Sequence, residues 1–269
     1  VVINPEELLL ENRLAPITTS FGLFENKVDE VVDYFCSWQK GNDTKVIRKN
    51  VKGNLEEIFL NLLPFKIIGA SKYLFIPLMN GWTAYFDNGY RGTDSSAIAH
   101  IPRRLLSRSI RIITNPQYHP NPKFNMEAII MEVYGHDEML WSNFIRKLWL
   151  ECDCGKWNFE QMGALFPFEK TERYLLKKKT DRFDLPLLKE YLYKLGGLAP
   201  FDPNFYLTET GKEAVLVEVK TTWPNNDISF TETCKRNSIP ITGLNKKYID
   251  RGLVKSSLEK IKKTLNQLS

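Results

Sequence analysis

Two carboxylates, Asp202 and Glu218, and the ammonium of Lys220 are the side chains whose types and spacing could do chemistry in this sequence. The last two lie in KEAVLVEVKTTW (212–223), an apolar run of strand character. Successive side chains of a strand point to opposite faces. Leu216, Glu218 and Lys220 would therefore share one face, and Val215, Val217 and Val219 the other. Asp202 precedes Glu218 by sixteen residues, at the head of an expected preceding strand. Two carboxylates suit a hard Mg²⁺ ion that keeps several waters, and such an ion activates a water and neutralises charge on a phosphate. A lysine two residues past the second carboxylate would touch that water or the scissile phosphate. Glu190, on an upstream helix, could add a further acid.

This layout resembles the PD-(D/E)xK class of metal-dependent nucleases, which would make Asp202 and Glu218 metal ligands and Lys220 a catalytic cation. The sequence departs from the class in two places. Its dyad is reversed, Asp202-Pro203, and the expected strand is followed by TTWPNNDISFTETCKRNSIP, which is turn-rich and poor in helix signals. Glu and Lys on the wet face of a half-buried strand are also ordinary sheet composition. A plain strand is the preferred reading, with the Mg²⁺-dependent nuclease as the alternative. No catalytic residue is favoured, and no cofactor or metal is expected.

A second stretch, WTAYFDNGYRGTDSS, packs Trp82, Tyr85, Asp87, Tyr90 and Arg91 into a strand end and a glycine-containing turn. Aromatic rings with Arg and Asp on a rigid turn suit a binding surface, since such residues dominate interface hot spots. The structural reading puts Trp82, Ala84 and Phe86 in the core, lets Asp87-Asn88-Gly89 turn the chain and has Asp94 cap the next helix. The two roles can coexist. Cys152 and Cys154 would share a strand face but lack the second ligand pair of a zinc site. RYLLKKKTDR (173–182) and RRLLSRSIR (103–111) are basic clusters without the interleaved aromatics of single-strand binders, and read as solvated faces.

The elements that must position these residues mix helices and strands. NKVDEVVDYFCSWQK has apolar residues at helical spacing, and TKVIRKNVKG follows as a strand. GNLEEIFLNLLPF reads as a helix with Asn54 as N-cap and Pro64 past its end. KYLFIPLM and WTAYFDN meet at Asn80-Gly81, the strongest short hairpin signal. Asp94-Ser95-Ser96 opens a helix through SAIAHIPRRLLS, which Pro102 would kink or divide. RSIRIITN and FNMEAIIMEVYG are strands, and 144–169 holds a hairpin turning near Gly155. LPLLKEYLYKLGG is a helix with Asp184 as N-cap and Gly196-Gly197 at its end. NFYLTET and EAVLVEVKTT would form one more hairpin. Hairpins dominate and βαβ alternation is scarce, so the fold class is α+β, a mainly antiparallel sheet with flanking helices and a basic helical C-terminal tail. The expected domains are a globular unit over 1–235, in which 1–66 could form a helical subdomain, and a tail over 236–269.

Bulk properties narrow the setting. The 269 residues carry a net charge of +5. From Lys235 onward nine Lys/Arg stand against two acids, an asymmetry that can mark a nucleic-acid or acidic-partner surface, although a solvated helix is the simpler reading. No apolar run is long enough to cross a membrane. The four cysteines are too few for a disulfide framework, and a reducing, cytoplasmic setting is expected. The chain opens on Val1 rather than Met, so a trimmed leader remains open.

WTAYFDNGYRGTD, followed by a helix and a strand, and then WNFEQMGALFPFE, DRFDLPLLKEYLYKLG and FDPNFY, together resemble a loosely defined group of bacterial proteins. Some of these act as immunity proteins against polymorphic or contact-dependent growth-inhibition toxins. The resemblance covers roughly 73–206 and rests on aromatic, structural motifs. It implies a small cytoplasmic α+β protein whose work is binding, with a toxin domain as partner. It carries no catalytic residue across. Immunity proteins against nuclease toxins are often acidic, whereas this chain is basic. Its toxin should therefore present an acidic face, met by Lys246, Lys247, Arg251 and Lys255 of the tail. Nucleic acid is the other partner the tail could take.

Overall fold

The computed structural model describes residues 3–40, 44–118, 121, 126–136, 143–207, 213–220 and 226–241. Its frame is a nine-stranded antiparallel sheet. The strands are β1 (Ser20–Phe24), β2 (Lys45–Val51), β4 (Lys72–Pro77), β5 (Thr83–Asp87), β6 (Ser109–Asn115), β7 (Ala128–Tyr134), β8 (Phe144–Asp153), β9 (Lys156–Gly163) and β10 (Ala214–Lys220). They lie in the order β2-β10-β4-β5-β1-β6-β7-β8-β9. Short β3 (Phe65–Lys66) and β11 (Asp227–Ile228) pair separately. The α+β class and the antiparallel, hairpin-built sheet are those expected.

Side chains alternate across the strands and feed two cores. On one face α1 (Val28–Lys40) and α3 (Ser95–Leu105) pack Val31, Val32, Phe35, Ile98 and Ile101 over Phe24, Phe75, Tyr85, Val215 and Val217. On the other face Phe21, Leu23, Leu74, Ile76, Phe86, Ile110 and Ile112 are covered by the N-terminal turns, α2 (Leu55–Phe59) and α4 (Leu185–Gly196). A wholly buried side chain such as Phe35 contributes about 2 kcal/mol. Gly22 is where β1 passes beneath α3, since a Cβ there would stand 2.7 Å from Ile98.

The helix ends follow the caps read from the sequence. Asn54 accepts from Glu57 N in a capping box, Asp94 from Ser96 N, and Asp184 from Leu187 N. Gly197 closes α4 in the left-handed conformation, as a C-terminal glycine should. Pro102 does not divide α3, which runs on to Leu105 and stops at left-handed Leu106.

Four expectations need correction. NFYLTET and EAVLVEVKTT do not form a hairpin: β10 has β4 on one edge and β2 on the other, and Pro203–Phe205 is a 3₁₀ turn. Residues 1–66 are not a helical subdomain, because β1 sits inside the sheet and β2 at its edge. The N-terminal stretch thus supplies a strand, β1, that its irregular composition did not announce. Finally, the segment after β10 is not helix-poor throughout. It carries α5 (Phe230–Arg236), capped by Ser229, and Ile239 beyond it is buried, so the packed body extends past residue 235. Of the expected tail, 242–269 lies outside the described residues.

Candidate functional site

β5 ends in Asp87, and the turn over 87–94 is built around that side chain. Oδ1 accepts from Gly89 N at 2.8 Å and Oδ2 from Asp94 N at 2.9 Å, while Asp87 N donates to Thr93 Oγ1 at 3.2 Å. Asn88, fully buried, fastens the same turn to its neighbours. Its Oδ1 accepts from Ser71 N and Lys72 N, and its Nδ2 donates to Pro64 O at 2.8 Å. Tyr90 N donates to Lys66 O at 3.0 Å, and Asn237, just past α5, donates to Tyr90 O at 2.7 Å. Gly92 is required twice over, by a φ of 92° and by a Cβ position 2.8 Å from Ser20 Cβ. The result is a rigid turn with half-buried Tyr90 and exposed Arg91 at its tip, the guanidinium 5.3 Å from the ring centre.

Beneath that tip is a cavity of about 410 Å³. Asp87, Tyr73 and Tyr85 line it from the sheet, Phe35 and Trp38 from α1, and Arg111 from β6. Tyr73 stands directly across the β4–β5 ladder from Asp87, and its hydroxyl donates to Ala70 O at 2.8 Å. Arg111 Nη1 donates to Glu132 at 3.2 Å, whereas its buried Nε has no acceptor among the described residues. Burial pushes the Asp87 carboxyl up to about 7, against the lowering pull of its two backbone donors; nearby Asp94 raises it further and Arg111 lowers it. Burial also raises Tyr73 and Tyr85, with the negative charge of Asp87 adding to the effect.

The structure therefore brings Tyr85, Asp87, Tyr90 and Arg91 together around one cavity. Trp82 stands apart. It belongs to the opposite core and packs its indole on Gly196, where a Cβ would lie 3.0 Å from the ring. Lys246, Lys247, Arg251 and Lys255 fall outside the described residues. Trp38, Tyr73 and Arg111 were not anticipated. Tyr73 and Arg111 arrive through sheet register and Trp38 through the helical spacing of α1, none of them through a motif.

Asp202 and Glu218 are not brought together. Asp202 caps the 3₁₀ turn that leads to Tyr206, which bridges Leu78 beyond the end of β4. Glu218 faces Lys72 at the other end of that strand. Six residues of strand, roughly 20 Å, intervene. Glu218 forms an ion pair with Lys49 at 2.9 Å, and Lys220 is the exposed last residue of β10. Glu190 pairs with Lys170 at 2.6 Å. Cys152 is buried in β8 while Cys154 is exposed in the turn at a φ of 50°, so the two do not share a strand face. In the basic clusters Arg108 grips Glu25 through two hydrogen bonds and Arg173 binds Asp184.

A second acid is buried far from this turn. Glu169 and Arg146 have side chains 0% and 1% exposed, joined at 2.6 Å through Nη2 and at 2.9 and 3.2 Å through Nε. Glu169 also accepts from Tyr174 Oη and Phe166 N, and the remaining Arg146 donors reach Gln161, Met162 O and Gly163 O.

No protein-family model, curated protein or solved structure matches the chain. Among the described residues no helix is long and apolar enough to cross a membrane.

Proposed function

We propose that the protein acts by binding, as an immunity protein that neutralises a toxin domain by covering its active site. The supporting observation is the braced turn over 87–94, which presents Tyr90 and Arg91 at the mouth of a cavity. Aromatic and arginine side chains held rigid before contact lose little entropy on docking and make the strongest interface anchors. The motifs of 73–206 that resemble bacterial immunity proteins support the same reading. The partner would offer an acidic or aromatic projection to the turn, and basic residues of the tail would speed its approach.

The test is co-purification with the product of the neighbouring gene, together with survival of cells that express that product as a toxin. Co-elution, protection, and loss of both in Arg91→Ala are expected. A wild-type protein that neither co-elutes nor protects would end the proposal.

A further inference from the structure

The basic segment over 173–182 is built as a rigid tip. Arg173 donates from Nε and Nη2 to Asp181 O at 2.9 and 2.6 Å and pairs with Asp184 at 2.7 Å. Arg182 Nε donates to Leu176 O at 2.7 Å, and Leu176 N donates to Arg173 O at 3.1 Å. Tyr174, buried, roots the segment through its hydroxyl, which donates to Glu169 at 2.7 Å. Between those ties Leu175, Leu176, Lys177, Lys178 and Lys179 are all exposed. A solvated face accounts for the lysines and leaves the leucines unexplained.

Leu175 is 85% exposed, more than any other large apolar side chain among the described residues, and Leu176 beside it is 42% exposed. One exposed leucine is ordinary. A pair on a braced turn, with three lysines next to it, needs a cause. From Lys170 to Arg182 six Lys/Arg stand against Glu172 and Asp181, a net of +4 beside +5 for the whole chain. Lys178 takes up Asp181 at 3.0 Å, Lys179 reaches Asn158 at 3.4 Å, and Lys177 forms no ion pair among the described residues. Protein interfaces are poor in lysine, and leucine is scarce among their hot spots. Bases stack on aromatic rings, and the one ring of this segment, Tyr174, is buried. Aliphatic side chains beside clustered lysines suit an anionic bilayer surface.

We infer that this tip docks the protein peripherally on an anionic lipid surface. Leu175 and Leu176 would enter the boundary of the acyl chains, and Lys177, Lys178 and Lys179 would meet the phosphates of the headgroups. Lysine suits that depth, because its apolar stem can lie along the acyl boundary while its ammonium stays among the headgroups. The bonds of Arg173 and Arg182 set the tip beforehand, so little conformational freedom is lost on docking. The inference uses neither the 87–94 turn nor the C-terminal tail, so it and the binding of a toxin can fail separately.

The experiment is flotation of the full chain with two kinds of vesicle, phosphatidylcholine alone and equal parts of phosphatidylcholine and phosphatidylglycerol. The chain should rise with the anionic vesicles, stay behind with the neutral ones, and be released by salt. Leu175→Ser changes no charge and should weaken partitioning roughly tenfold. Lys177→Gln should weaken it about fivefold. Both side chains are exposed, so the fold should survive either change. Leu106→Ser is the control: Leu106 is 72% exposed at the end of α3, on the other face of the sheet, and its loss should change nothing. The inference is overturned if the wild type does not rise with anionic vesicles, or rises equally with neutral ones. It is also overturned if Leu175→Ser and Lys177→Gln partition like the wild type, which would assign binding to the C-terminal cations, or if Leu106→Ser weakens it as much as Leu175→Ser.

Discussion

Glu169 and Asp87 are both buried acids, and they are buried in different ways. Glu169 meets a guanidinium head-on, and every donor of Arg146 within reach has an acceptor. Two tyrosine hydroxyls close the network, Tyr174 on Glu169 and Tyr191 on Tyr174. Among the described residues no cation forms an ion pair with Asp87. Its carboxylate holds two backbone N–H groups and lines a cavity also lined by Arg111, whose buried Nε has no acceptor among the described residues. A saturated network fixes packing and leaves nothing over for a ligand. The turn at Asp87 is held rigid by backbone donors alone and keeps hydrogen-bonding capacity to spare.

The sharpest way to break this contrast is to remove one half of the saturated pair. Arg146→Ala strands a desolvated carboxylate and should cost about 3–5 kcal/mol in urea unfolding. A loss under about 1 kcal/mol would mean water reaches Glu169. Asp87→Ala removes two acceptors from a turn with exposed neighbours that water can partly serve, and about 1–3 kcal/mol is expected. Binding of the partner should fall with it, because the tip loses its brace.

The third test is pH. Asp87 has a folded-state pKa raised to about 7, so the folded chain holds a proton there that the unfolded chain gives up at lower pH. Its contribution is complete below the ordinary carboxylate range and disappears as pH rises through about 7. Between pH 5 and pH 6.5 stability should decline with a slope approaching about 1.4 kcal/mol per unit from this group alone. Asp87→Asn cannot titrate, so the gap between wild type and variant should change with pH. A gap constant from pH 5 to pH 8 would remove Asp87 as the cause. The smallest expected effect is Arg91→Ala on stability, within about 0.5 kcal/mol. Its effect on the partner should be large. A variant that loses stability but binds normally would reverse the assignment.

How far these sites were legible depended on whether their cause was local. Helix caps at Asn54, Asp94 and Asp184 were readable, because a cap lies within three residues of what it serves. The core positions Trp82, Ala84 and Phe86, and the hairpin turning at Cys154-Gly155, were readable for the same reason. The cavity was half readable. Asp87, Tyr90 and Arg91 lie in one stretch, but Tyr73 and Arg111 arrive through register. An Asn-Gly hairpin with a two-residue loop would set Tyr73 opposite Asn88. The observed loop is one residue longer, with Leu78 N bonded to Trp82 O, and it sets Tyr73 opposite Asp87. One residue of slip moves a side chain to the other face. β1 escaped notice because Ser20–Phe24 has no alternation: buried on both faces, it reads as an unbroken short run. The false hairpin before β10 arose from assuming that neighbours in sequence pair in space. The partner strands instead come from 45–51 and 72–77.

The bond from Asn237, just past α5, to the carbonyl of Tyr90 makes α5 a remote support for the tip of the 87–94 turn. Deletion mapping of this protein must take account of it. A chain cut before residue 237 would lose both its terminal cations and the buttress behind Tyr90, and weakened capture would say nothing about which loss mattered. A cut after residue 241 keeps the buttress and isolates the cations. Asn237→Ala in the intact chain does the reverse.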